Sequence, residues 1–232
     1  MESSVKNMRK VIKINQVIDL DNNKIISDDK VEDIVYLYSE LPTTKAKEVA
    51  EEIMLDDKIG NTITQINFED DVDNYLYELF PNSDLQYQYS LSYCQGDGFN
   101  IYGELNLYDI LDKIKDKLTE EEIKYITWLA SIENSVKLKM NRRYSYCICD
   151  REEILQNITT YLELNCYKNV RYDIIIKFEK LAGKYLKDLC NNLEDKGYKH
   201  IYNLTENDIE CYEYNGMSFN EDGSLYGYIN FN

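Results

Sequence analysis

The sequence predicts an α+β fold: a single compact domain with a mainly antiparallel sheet and several packed helices. Three observations predict it. Residues Leu85–Tyr93 alternate apolar and polar side chains without a break, the mark of a half-buried strand. Several other stretches place apolar residues at helical spacing behind recognisable caps. Strands and helices do not follow a regular β-α-β order, which disfavours a parallel sheet. No repeat, low-complexity block or Pro- or Ser-rich linker divides residues 1–232.

Residues 1–30 read as an irregular N-terminal extension with one strand candidate at Val11–Ile18. A second strand is expected at Ile34–Leu41, ended by Pro42. Thr43 or Thr44 can then cap a helix whose apolar face carries Ala46, Val49, Ala50, Ile53 and Met54. Val72, Tyr75, Leu76, Leu79 and Phe80 predict a short helix stopped by Pro81. Leu85, Tyr87, Tyr89, Leu91 and Tyr93 form the strand, Gln95-Gly96-Asp97-Gly98 the turn, and Phe99, Ile101 and Leu105 the return strand of a hairpin. Helices follow at Leu107–Leu118 and Glu120–Ile132. Thr119 is the expected N-cap of the second, with Glu122 closing a capping box.

Val136, Leu138 and Met140 alternate with lysines as a strand running toward Tyr146. Asp150 is placed to cap a helix bearing Ile154, Ile158, Tyr161 and Leu162. A longer helix carries Ile174, Phe178, Leu181, Tyr185 and Leu189 and is expected to end near Gly197. A short helix at Glu206–Tyr214, a turn at Phe219–Gly223 and a strand at Leu225–Phe231 complete the chain.

Composition narrows the function. The 232 residues hold 43 Asp and Glu against 26 Lys and Arg, a formal charge of −17 at pH 7. Such a chain repels nucleic acid and anionic membranes unless a local basic patch opposes the global sign. Met1-Glu2-Ser3-Ser4 leads into polar sequence, so neither a signal peptide nor a membrane span is expected, and the location expected is cytoplasmic. The six cysteines make no CxxC pair and are expected to be reduced thiols. The single histidine, His200, leaves too few imidazoles for a His-based metal site. No catalytic set, cofactor or metal site is expected. The 22 tyrosines against six phenylalanines point to many half-exposed aromatic contacts.

Three constellations could carry function. Carboxylates recur at Glu69, Asp70 and Asp71 with Asp73 and Glu78, then at Asp109, Asp112 and Asp116 with helical spacing, then at Glu120, Glu121 and Glu122. Carboxylates spaced along a surface can imitate phosphates and attract a basic groove, although a solvated helix face shows the same run. Lys137, Lys139 and Arg143 share one strand face, with Tyr144 and the Gln95–Gly98 turn as neighbours. That stripe could hold a nucleic-acid backbone or a nucleotide. Asp97 lies between two turn glycines, where it is either a turn residue or part of a site acting on a small signalling nucleotide.

Tyr38-Ser39-Glu40-Leu41, Lys45-Ala46-Lys47-Glu48-Val49-Ala50, Tyr89-Ser90-Leu91-Ser92-Tyr93-Cys94-Gln95-Gly96-Asp97-Gly98, Gly197-Tyr198 and Phe219-Asn220-Glu221-Asp222-Gly223 together resemble a family of uncharacterised phage and prophage proteins of low-GC Gram-positive bacteria. In that family a Tyr-Cys-His-like segment follows the central strand. Here its place is taken by Tyr146-Cys147-Ile148-Cys149, without histidine. The resemblance implies a phage origin, and with it an anti-CRISPR or other anti-defence role. The partner it implies is a host defence complex, a CRISPR effector or a restriction enzyme.

Overall fold

The computed structural model describes residues 9–19, 24–94, 96–138 and 170–229. Among the described residues helices predominate and every strand pairing is antiparallel, so the fold is α+β. The chain forms two compact units. One comprises residues 1–61 and 202–232, the other residues 62–201.

In the first unit, β1 (Arg9–Asp19) pairs with β2 (Lys24–Val35), with a register shift between Val17 and Ile18. Within the stretch expected to be irregular, residues 9–19 and 24–30 are therefore paired strands, and the strand candidate Val11–Ile18 falls inside β1. The strand expected at Ile34–Leu41 ends early: Tyr38–Glu40 is a 3₁₀ turn. Helix α1 (Thr44–Gly60) starts as anticipated, with Thr43 Oγ1 accepting the Ala46 N–H at 3.1 Å. Its Ala46, Ala50 and Met54 pack with Leu41, Met217 and Phe219. The other end of the chain supplies the second half of that core. Here β6 (Met217–Phe219) pairs with β7 (Leu225–Tyr228), and Phe219 bridges to Tyr36 through N–H···O bonds of 2.8 and 2.9 Å. Gly223 turns at φ 90°, where a Cβ would sit 2.0 Å from the Ala46 carbonyl oxygen; only glycine fits.

A buried cation ties this unit together. Lys58, near the end of α1, donates to Asp208 Oδ2 at 2.7 Å and to the Asn203 carbonyl at 2.9 Å. Asp208 belongs to the helix Glu206–Tyr214, capped by Thr205 through a reciprocal hydrogen-bond pair. Removing either charge would leave the other poorly paired in a low-dielectric setting.

The second unit is a three-stranded sheet, β3 (Asp84–Ser90), β4 (Gly98–Asn106) and β5 (Ser135–Leu138), in that order. Along β3 the odd residues Leu85, Tyr87 and Tyr89 are half-buried and Asp84, Gln86 and Gln88 exposed, as the alternation predicts, while Ser90 at the end of the strand is half-buried. Tyr87 stacks on Phe99 across the pairing at a 5.3 Å centroid distance. Helices α2 (Thr62–Leu79), α3 (Leu107–Ile114) and α4 (Glu120–Ile132) belong to this unit. Helix α2 starts well before the short helix expected from its apolar residues, because Thr62–Asn67 adds turns that bury little, Ile63 and Ile66 included. The capping box Thr119/Glu122 forms as expected, at 3.3 and 2.7 Å.

Helix α5 (Tyr172–Tyr202) buries Ile174, Phe178, Ala182, Leu186, Leu189 and Leu193 along one stripe. It runs through Gly197 instead of ending there. A Cβ at Gly197 would lie 2.4 Å from Leu91 Cδ1 and 2.8 Å from Phe68 Cζ, so this glycine admits close packing and does not cap. The short helix Glu206–Tyr214, α6 here, matches its expected bounds. The continuation of β5 past Leu138, Asp150 with the helix at Ile154–Leu162, and the end of the last strand at Phe231 lie outside the described residues.

Candidate functional site

The expected acidic surface separates into parts with different chemistry. Helix α2 buries Phe68, Val72 and Leu76, four residues apart, and so turns the intervening positions outward. Glu69, Asp70, Asp71 and Asp73 are all exposed. Among the described residues, no lysine or arginine pairs with Asp70, Asp71 or Asp73. The neighbouring strand feels their field. Tyr87 donates to the Glu69 carbonyl at 3.1 Å and Tyr89 to Glu69 Oε1 at 2.8 Å. Burial, then the charges of Asp73 and Glu69, push the Tyr87 phenol well above its ordinary value. Burial and the hydrogen bond to Glu69 do the same to Tyr89.

Asp109 is a different case, and here the expected carboxylate face on α3 fails. The side chain is buried and accepts three hydrogen bonds from the turn after α2: Asn82 N–H at 2.9 Å, Asn82 Nδ2 at 2.8 Å and Ser83 Oγ at 2.8 Å. Ser83 Oγ in turn accepts the Asn106 N–H at 2.9 Å. Asp109 therefore joins a turn to the first turn of a helix and presents no charge to a partner. Asp112 is exposed but lies 2.7 Å from Lys115 and 3.6 Å from Lys113; the hydrogen bond from Lys115 holds its carboxyl below the usual range. Asp116 is exposed in the 3₁₀ turn that follows α3.

On α4, Glu120 is exposed, whereas Glu121 pairs with Arg171 at 3.0 Å and Arg171 reaches back to Asp173 at 2.9 Å. Glu122 pairs with Lys177 at 2.8 Å. These cations, remote in sequence, answer charges that look unopposed on the linear chain.

Asp97 is the hub of the hairpin turn. Its carboxylate accepts from Tyr198 OH at 2.6 Å, Ser92 N–H at 2.7 Å, Ser90 Oγ at 2.8 Å and Cys94 N–H at 3.0 Å, with Ser92 Oγ and Cys94 Sγ both at 3.2 Å. Burial alone would raise its carboxyl. The bonds from Tyr198, then Ser90 and Cys94, outweigh that and hold it well below the carboxylate range. This network also holds Tyr93 at φ 54°, a costly value for a bulky side chain, with its ring stacked on Tyr198 at 4.5 Å. An acceptor so fully engaged is suited to shaping a turn and poorly suited to acting as a general base.

Of the basic stripe, Lys137 is exposed on β5 and stands opposite Glu104 in the β4–β5 register. Lys139, Arg143, Tyr144 and Gln95 lie outside the described residues. Among the described residues, no group of three or more His, Cys, Asp or Glu side chains could hold a metal ion. Nor is any described helix long and apolar enough to cross a membrane. His200, the only histidine, meets the Thr64 carbonyl at 3.1 Å and lies beside the Phe68 ring.

Comparison with protein-family models, with curated proteins and with solved structures found no match to this chain.

Proposed function

We propose that the chain is a non-enzymatic binding protein of phage or prophage origin that inhibits a host defence complex. The target class is a CRISPR effector or a restriction enzyme, and the contact is made by the outward carboxylates of α2 on a basic, nucleic-acid-binding groove. One observation carries the reading: Asp70, Asp71 and Asp73 stand exposed beside Glu69 with no cation paired to them among the described residues, in a chain of net charge −17. A groove lined with lysine and arginine would supply the missing countercharge and would be steered toward this face at low ionic strength. Tyr87 and Tyr89, tied to Glu69 from behind, brace the helix that presents them.

The test is affinity capture. The tagged chain is incubated with lysate of a bacterium carrying CRISPR and restriction systems, beside the variant D70K/D71K/D73K, and retained proteins are identified by mass spectrometry. A CRISPR or restriction subunit held stoichiometrically by the wild type and lost by the variant is the expected result. Retention of nucleic acid alone, or of the same subunit by both proteins, would overturn the reading.

A further inference from the structure

The acidic residues of α2 do not stand alone on its outer face. Ile63, Ile66, Asp70, Asp73 and Tyr77 follow one another at alternating three- and four-residue steps, the spacing that lines side chains into a single seam on a helix. The seam lies on the side of the helix away from the buried Phe68, Val72 and Leu76, with Asp73 at its edge beside the Tyr87 phenol. Its apolar members are strongly solvated: Ile63 is 62% exposed, Ile66 48% and Tyr77 72%. A solvated helix face has no use for two isoleucines and a tyrosine in register, whereas a helix–helix contact does.

We infer that this seam of α2 docks a cationic amphipathic helix of a partner protein. The inference rests on the proposed role of α2 as the contact surface and adds the shape of what it meets. The charge pattern chooses the occupant. A second copy of this chain would set Asp70 and Asp73 against their own counterparts in a parallel pairing, and against each other or against Ile66 and Ile63 in an antiparallel one, so each leaves carboxylates in the seam without a countercharge. Nucleic acid would face the same carboxylates with its own phosphates. A helix with apolar residues opposite Ile63 and Ile66 and lysine or arginine opposite Asp70 and Asp73 satisfies every position. The central Asp pair then fixes its register, as a polar residue does within an apolar seam.

The test uses the full chain and three synthetic peptides of equal net positive charge. The first is a helix with apolar residues and lysines at the matching seam positions; the second has the same composition scrambled; the third is oligolysine. Binding is read by fluorescence anisotropy at low and high salt, with circular dichroism confirming that each protein variant is folded. The seam peptide is expected to bind at least about tenfold tighter than the other two. I63S/I66S should weaken it about tenfold and keep its salt dependence, while D70K/D73K should weaken it and flatten that dependence. Equal binding of the scrambled peptide or oligolysine, indifference to I63S/I66S, or a dimer of the free chain by sedimentation that D70K/D73K leaves intact would each overturn the inference. The two readings fail separately: capture of a defence subunit that ignores I63S/I66S removes the helix-docking seam alone, and a seam that binds its peptide in a chain capturing no defence subunit removes the inhibitor role alone.

Discussion

Asp109→Ala separates a structural carboxylate from a recognition carboxylate. The wild-type side chain accepts one backbone and two side-chain hydrogen bonds from Asn82 and Ser83, all at 2.8–2.9 Å, in a buried setting. A hydrogen bond to a charged group contributes about 1.5–3 kcal/mol, and a donor left unpaired by truncation costs a comparable amount. The Asn82 and Ser83 donors lie in a turn only partly closed to water, so some of that loss is recovered by hydration. The net expectation is about 3 kcal/mol. For a unit of this size, that lowers the melting temperature by about 6–12 °C. Asp109→Asn keeps the volume and one acceptor and should cost about half as much. Asp70→Ala, on the exposed face of α2, should stay within about 0.5 kcal/mol. The assay is thermal and urea unfolding followed by circular dichroism. Equal stability of Asp109→Ala and Asp70→Ala would refute the structural assignment of Asp109. So would a loss of partner binding in a folded, fully stable Asp109→Ala protein.

Further outcomes follow from the same geometry. Lys58→Ala should destabilise by about 2 kcal/mol in urea unfolding, since Asp208 remains partly open to water, and K58M/D208L should recover only part of that loss, because it also removes the acceptor of the Thr205 cap. Gly183→Ala, where an added Cβ meets nothing within 4 Å, should stabilise α5 by about 0.5–1 kcal/mol. Gly197→Ala on the same helix should fail to stabilise and should cost about 1 kcal/mol, because its Cβ runs into Phe68 and Leu91. Asp97 has a depressed folded-state value. Its contribution to stability is present above the unfolded carboxylate value of about 3.9 and is lost as pH falls below it. Asp97→Asn should therefore flatten the acid limb of a stability–pH profile; an unchanged limb would show that other carboxylates control it.

Local rules made much of the fold legible. The Thr119/Glu122 capping box is complete within four residues, so α4 was readable to its bounds. The β3–β4 hairpin was legible too, because period-two alternation meets a glycine-bounded turn, although the alternation carries on to Tyr93 while β3 ends at Ser90. What failed depended on partners distant along the chain. Strand β2 contains Ser27-Asp28-Asp29-Lys30, a poor strand sequence by itself, which becomes one only when paired with β1. Gly197 looks like a helix stop until Leu91 and Phe68, remote in sequence, are seen to need its missing side chain.

The same limit governs the site. The stepping of Asp109, Asp112 and Asp116 suggested one outward face, yet Asn82 and Ser83 turn the first inward and Lys115 answers the second. Arg171 and Lys177 likewise answer Glu121 and Glu122 from some fifty residues away, at a separation that no local pattern encodes. Glu69 to Asp73 stay legible because their neighbours on α2 carry no opposite charge.

The most direct measurement is a competition on the captured target. A labelled DNA or RNA duplex is bound to the purified defence nuclease, and the chain is titrated in while the duplex is followed by gel shift. The account predicts that the wild type displaces the duplex, and that D70K/D71K/D73K needs at least about tenfold more protein, with the difference shrinking at high salt. Displacement by the variant at the same concentration, or a ternary band in which chain and duplex are bound together, would contradict it.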